Sequence, residues 1–244
     1  MVRPRRLLGV EFTGCDLPAA LAWLRARPAE APFAYVVTPN ADHLVRLHRD
    51  PSLAPLYRGA ALTLLDSRVV AAGARLLGLA PPPVVTGADL IAALLPALPA
   101  ATPICLIGLP SGFLPALRAR TGLTAVAHHD PPIGFAHDHA AIEAALRFVE
   151  AHPARFILLA VGSPAQARLA AALASRGRAG GTALCIGAAV DFLAGRSRRA
   201  PAWMRRAGLE WLHRLAAAPR RLGRRYVRED PAILRLLLAD RLAR

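Results

Sequence analysis

Residues 156–166 read Phe-Ile-Leu-Leu-Ala-Val-Gly-Ser-Pro-Ala-Gln, and the order of residue types in this stretch decides the fold. The six residues Phe156–Val161 are apolar without interruption, as in a strand covered on both faces. Gly162, Ser163 and Pro164 stop that strand, and the proline stands just before an Ala-rich, helix-like segment. The unit is strand, tight turn, helix. Apolar runs at Phe33–Val37, Ala61–Leu65, Ile104–Ile107, Thr124–Ala127 and Ala183–Ile186 repeat it. This rhythm predicts an α/β fold, a Rossmann-like, mostly parallel sheet flanked by helices.

In such sheets the ligand crevice lies outside the carboxyl ends of the strands, so the residues after each run are the ones to inspect. They are Thr38 to Asn40, Asp66 and Ser67, Gly108, the 128–135 loop, Gly162 to Pro164, and Gly187 to Ala189.

The 244 residues suffice for one large α/β domain, or for one domain with an appendage. All 31 basic residues are arginine. The lack of lysine removes a Walker A lysine, a Schiff base and a pyridoxal-phosphate anchor. Cys15, Cys105 and Cys185 have no paired or CxxC spacing, against a disulfide framework or zinc site and in favour of a reducing cytosol. The apolar run near the N-terminus stops at Glu11, too short for a signal peptide. Residues 90–117 carry no charge, but five prolines divide them into helix, turn, strand and turn rather than a membrane span.

From residue 196 the character changes. The segment 196–244 holds 14 arginines against four acids, a surplus of ten within the total net charge of +15. Nucleic acid, anionic lipid or a substrate phosphate would each suit such a block. Helical spacing puts Trp203, Met204, Ala207, Trp211 and Leu215 on one arc of roughly 120°, a face expected to be buried. Arg220, Arg221, Arg224 and Arg225 form two i,i+4 pairs on one side of a following helix. The last apolar run, Ile233–Leu242, suits packing on the main domain or lying at a bilayer interface.

Several residues admit two roles. Asp66 ends a strand, where its carboxylate would either cap the next helix or take a proton from an attacking hydroxyl. Asn40 would cap a helix or bind a sugar or base. Asp191 lies among small residues that suit either a close ligand or tight helix–sheet packing. The turns at Gly108 and Gly162 do not reproduce a GxGxxG fingerprint, which excludes the usual nicotinamide site. His128, His129, His137 and His139 sit on a Pro/Gly-rich loop that reads as solvated rather than metal-binding. No Asp-x-Asp pair is present, so arginine forks are the groups expected to neutralise a diphosphate.

Taken in order, Thr38-Pro39-Asn40-Ala41-Asp42, Leu65-Asp66-Ser67, Thr86-Gly87-Ala88-Asp89-Leu90, Gly162-Ser163-Pro164-Ala165-Gln166 and the stretch Ile186–Gly195 resemble the WecG/TagA/CpsF glycosyltransferases. So does the stretch from Arg199 through Trp203, Gly208, Glu210 and Trp211 to Arg214. The resemblance runs from about residue 8 to 230 in the family's order and spacing. It implies an inverting, metal-independent transferase of glycosyltransferase family 26. Such an enzyme moves a hexose-type sugar (ManNAc, glucose or a relative) from a UDP-sugar to a polyprenyl-diphosphate-linked acceptor in cell-envelope or exopolysaccharide synthesis, with no cofactor.

By that resemblance Asp66 is the general base, with Thr38 and Asn40 at the reaction centre. Thr86, Gly87, Asp89, Gly108, Gly162, Gln166, Gly187 and Asp191 belong to the substrate pocket. Arg214, Arg221 and Arg224 are the arginines that a C-terminal appendage closes over it. The domains expected are a catalytic α/β domain at 1–195 and a basic amphipathic helical appendage at 196–244, with the protein peripheral at the cytoplasmic face of an anionic membrane and able to form homo-oligomers. The chain departs from the family's usual Gly, Glu and Arg at Ser67, Ala167 and Val84, changes that bear on the donor sugar. The competing expectation is a nucleic-acid-binding α/β protein using the Arg-rich tail, although that tail holds no recognised reading motif and no nucleic-acid partner is expected.

Overall fold

Six parallel strands form the centre of the computed structural model, which describes residues 3–217 and 232–243. They are β3 (Ala34–Val37), β4 (Leu62–Thr63), β5 (Ile104–Ile107), β6 (Val126–His129), β7 (Phe156–Leu159) and β8 (Thr182–Cys185), in the order β4-β3-β8-β7-β5-β6. Every residue of β5, β7 and β8 is buried, and all are apolar except Thr182, whose hydroxyl accepts from Arg27 Nε at 2.8 Å.

Successive residues of each strand feed opposite layers. Val36, Ile104, Leu106, Phe156, Leu158 and Leu184 meet α1 (Leu17–Ala26), α5 (Gly87–Leu94), α6 (Leu114–Thr121) and α9 (Ala189–Leu193). Val37, Cys105, Ile107, Ile157 and Leu159 meet α3 (Ala54–Arg58), α7 (His139–Ala151) and α8 (Ala165–Arg176) on the other side. The sheet is therefore covered on both faces, as its sequence requires.

A third cluster lies beside β4. A hairpin of β1 (Arg5–Leu7) and β2 (Val10–Phe12), joined through Leu8 and Gly9 at φ of 52° and 75°, packs Leu7 and Phe12 on α2 (Ala41–Arg49) and α4 (Arg68–Leu76). The C-terminal helix Ala232–Leu242 joins the same cluster through Ile233 and Leu237. Of the two placements open to this apolar run, these two side chains take the one on the main domain. A Cβ on Gly73 of α4 would stand 3.0 Å from the Leu237 side chain, so the small residue sets how closely the helices approach. We expect Leu237→Ala to destabilise the protein by about 2 kcal/mol, the low end for a buried leucine because the flank of this helix can collapse. Chemical denaturation measures it.

The segment after residue 196 differs from the single apolar arc expected. It folds as α10 (Ala202–Arg206) and α11 (Glu210–Ala217), separated at Gly208, whose φ of 74° ends the first helix. Trp203 is 64% exposed, so the break leaves much of the apolar face uncovered. Arg220, Arg221, Arg224 and Arg225 fall outside the described residues, as does the side chain of Arg214. No helix among the described residues is long and apolar enough to cross a membrane.

Candidate functional site

Loops at the carboxyl ends of β4, β3, β8 and β7 enclose a cavity of about 750 Å³, within the ordinary range for a small-molecule site. Thr38, Asn40, Asp66, Thr86, Gly162, Gln166 and Gly187 all line it. Residues more than a hundred positions apart thus converge because parallel strands deliver every second loop to the same end.

Each polar side chain is held by a specific backbone group. Thr38 is buried and donates its hydroxyl to the Cys185 carbonyl at 3.2 Å. Asn40 caps α2, its Oδ1 accepting from the His43 amide at 3.2 Å. Gln166 is buried in the first turn of α8, and its Oε1 accepts from the Gly187 N–H at 2.8 Å. Both amides thus accept from backbone through their oxygen, and each also carries an NH2 donor.

Asp66 does not cap the helix that follows it. Ser67 does, its hydroxyl accepting from the Val70 amide at 3.2 Å. The Asp66 carboxylate turns instead across the sheet end, where Oδ2 accepts from the N–H of Gly87, the first residue of α5, at 3.1 Å. A Cβ at 87 would stand 3.1 Å from Thr38 Oγ1, a tight approach that favours glycine there.

Other expected residues fall elsewhere. Gly108 is outside the lining, and its φ of 94° with the Ala160 carbonyl 2.9 Å from any Cβ accounts for the glycine by the turn alone. Asp191 is paired with Arg196 at 3.2 Å. Asp89 lies behind the lining, where its carboxylate meets Arg199 at 2.8 Å and the Thr86 hydroxyl at 2.8 Å. Burial opposes its charge, but the hydrogen bonds from Arg199 and Thr86, with the charges of Arg199 and Arg68, outweigh that and hold the carboxyl below the usual range. The stabilisation this lowered value contributes is complete at neutral pH and is lost as the pH falls through it.

Three arginines given no site role by the sequence also line the cavity: Arg46, Arg68 and Arg199, the last known only as the start of a motif. Arg46 donates to the Ser163 carbonyl at 2.6 Å and to Asp42 at 3.0 Å. The Asp42/Arg46 i,i+4 pairing was visible in the sequence; its turn toward the cavity needed the sheet. Against these cations stand Asp42, Asp66 and Glu210, so the charged carboxylates and guanidinium groups of the described lining balance.

The cysteines offer no nucleophile at neutral pH: burial pushes Cys105 up to about 12 and raises Cys15 and Cys185 as well. His128 donates from Nε2 toward the Gly108 and Leu109 carbonyls, and His129 stacks on Phe148. Among the described residues no three His, Cys, Asp or Glu side chains gather as metal ligands. A shallower recess of about 470 Å³ at the amino ends of the strands holds none of the expected residues, and its Arg155 is committed to the Arg25 and Arg27 carbonyls.

Fold and cavity together define a Rossmann-like α/β protein whose cleft, at the carboxyl ends of the strands, sets Thr38, Asn40, Asp66 and Gln166 among apolar side chains. The chain belongs to the WecG/TagA/CpsF family of glycosyl transferases, whose profile matches residues 5–244, nearly its whole length. It is a glycosyltransferase, and its family acts in cell-envelope polysaccharide synthesis. That answers the choice between a transferase and a nucleic-acid-binding protein. A search of curated proteins finds no significant match.

Proposed function

We propose that the protein transfers a hexose-type sugar from a UDP-sugar to a polyprenyl-diphosphate-linked acceptor, by a single inverting displacement that uses no metal. The observation that carries this reading is Asp66: a carboxylate inside a large cavity, oriented by the Gly87 amide at the start of α5 rather than spent capping the helix that follows it. Asp66 accepts the proton of the acceptor hydroxyl as that oxygen bonds to the anomeric carbon. The bond from that carbon to the diphosphate breaks, its electron pair leaves with the nucleotide, and configuration inverts. Thr38 and Asn40 flank the reaction, while the NH2 of Gln166 faces donor oxygens.

A diphosphate brings negative charge that the balanced lining does not neutralise. Support for the C-terminal arginines in that role comes from α11, whose Glu210 and Trp211 wall the cavity and which carries Arg214 one turn further along. We assign 1–195 to catalysis and 196–244 to closure and membrane contact on this basis. Peripheral attachment to an anionic membrane, which the family resemblance would set at the cytoplasmic face, is supported by the exposed leucines Leu234, Leu238 and Leu242, which follow one another at i,i+4 along the C-terminal helix beside Arg235 and Arg241.

The direct experiment is a panel of radiolabelled UDP-sugars incubated with the protein and a native lipid extract. Label entering the lipid phase from one UDP-sugar is expected; label entering from none, with UDP giving no thermal shift, contradicts the proposal. Gln166→Glu keeps the acceptor for Gly187 N–H but sets a negative charge where an NH2 stood. The KM for the UDP-sugar is expected to rise roughly ten- to a hundredfold, with melting temperature little changed. An unchanged KM removes Gln166 from donor binding.

A further inference from the structure

The first turn of α5 carries more ionic contacts than a helix start needs. Thr86 and Asp89 satisfy one another as a cap: Thr86 Oγ1 accepts from the Asp89 amide at 2.9 Å and donates to Asp89 Oδ2 at 2.8 Å. Three arginines from separate places in the chain nevertheless meet on the same carboxylate. Arg199, in the loop before α10, is 2.8 Å from Oδ1; Arg205, on α10, is 3.6 Å from it; Arg68, at the start of α4, is 3.9 Å from Oδ2.

Arg199 also reaches the Thr86 hydroxyl at 3.3 Å and Glu210 of α11 at 3.4 Å. Among the described residues Arg205 meets Asp89 only by this long contact, and its buried Nε has no hydrogen-bond partner there. Most of the docking therefore falls on Arg199. The Asp89 side chain is only 24% exposed, which makes this a shielded network rather than a surface ion pair.

We propose that Asp89 is a positioning residue: by gathering these arginines it docks the segment 199–211 onto α5 and so fixes both the cavity wall and the amide that holds Asp66. Two links run from it. Gly208, Glu210 and Trp211 of the docked segment form one wall of the cavity. Gly87, two residues before Asp89 on the same helix turn, donates to Asp66. One carboxylate thus joins the closure of the site to the orientation of its base. The kinetic part of this inference rests on the transferase reading above; the docking part does not.

The test compares Asp89→Asn, Arg199→Ala, their combination and Arg199→Lys, all in a Trp23→Phe background so that fluorescence comes from Trp203 and Trp211 alone. Asparagine preserves the cap and removes the charge. Acrylamide quenching is expected to increase in Asp89→Asn and Arg199→Ala as the segment lifts. In transfer assays kcat is expected to fall roughly tenfold in each, the donor KM to move less than about threefold, and the double variant to be no worse than the single ones. Arg199→Lys, which keeps the charge, is expected to recover most of kcat.

Unchanged quenching with unchanged kcat in Asp89→Asn overturns the proposal. So does a double variant in which the two losses multiply. A donor KM that rises at constant kcat also overturns it, and returns Asp89 to direct ligand binding. If the parent transfers no sugar at all, the functional reading fails while the quenching arm still decides the docking.

Discussion

Asp66→Asn is expected to slow sugar transfer by roughly 10²–10⁴-fold and to leave the fold intact. The two side chains have the same shape, and the asparagine oxygen can still accept from the Gly87 N–H that the carboxylate meets at 3.1 Å. What disappears is the capacity to take a proton from the acceptor hydroxyl. Donor binding does not need that proton transfer, so UDP-sugar affinity is expected to remain within about threefold, the pattern of an interaction made only in the transition state. Radiolabel transfer with saturating donor gives the rate, and a thermal shift with UDP reports binding. Turnover within about threefold of the parent, against the range set by general-base catalysis, removes Asp66 from the role.

The largest stability effect is expected from Gly181→Ala. Gly181 joins the starts of β8 and β3, its N–H donating to the Ala31 carbonyl at 3.0 Å and its own carbonyl accepting from Ala34 at 3.1 Å. Its φ is 75°, and a Cβ there would stand 2.1 Å from the Ala154 carbonyl oxygen and 2.9 Å from that of Arg155. These oxygens are backbone at the entry to β7, a strand buried at every position, so they cannot swing aside. A left-handed alanine costs about 1 kcal/mol, and the clash adds to it, for a total above about 3 kcal/mol and a drop of at least 6–12 °C in melting temperature. Gly122→Ala is the control. Its φ is 74° with nothing within 4 Å of the added carbon, so it should lose only the conformational part. Equal losses in the two variants would show that the close approach at Gly181 has no energetic weight.

The sheet is legible because strands covered on both faces are nearly continuous apolar runs, as 104–107, 156–159 and 183–185 are; Thr182, buried at the start of β8, is held by Arg27. The edge strand lies two residues later than its apolar run, at Val126–His129 rather than 124–127, because an edge strand needs no apolar residue at every position. At an edge, His128 and His129 can sit half-buried, with His128 bonded to neighbouring carbonyls. The N-terminal hairpin was not foreseen. Its strands are three residues each, and its turn places a leucine, Leu8, at positive φ, where sequence leads one to expect Gly or Asn.

In the site, Thr38, Asn40, Asp66, Gly162 and Gly187 follow from one rule, that loops after parallel strands share a crevice, while Gln166 comes from the resemblance. That rule says nothing of side chains arriving from helices or from the end of the chain. Arg46 and Arg68 reach the cavity from α2 and α4, and Arg199 meets Thr86 across 113 residues of sequence. The choice of cap between the neighbours Asp66 and Ser67 likewise depended on what lay across the sheet end, namely Gly87. Gly208 did carry a local signal for the break between α10 and α11, since glycine past the end of a helix is a common stop.

The account is tested most directly by a crystal structure of the protein with an unreactive UDP-sugar analogue. The diphosphate and sugar are predicted to occupy the cavity at the carboxyl ends of β4, β3, β8 and β7, with the Asp66 carboxylate on the face of the anomeric carbon opposite the diphosphate and Gln166 beside the sugar. Density for the analogue in the recess by Arg25 and Arg155, or on the same face of the sugar as its diphosphate relative to Asp66, would contradict it.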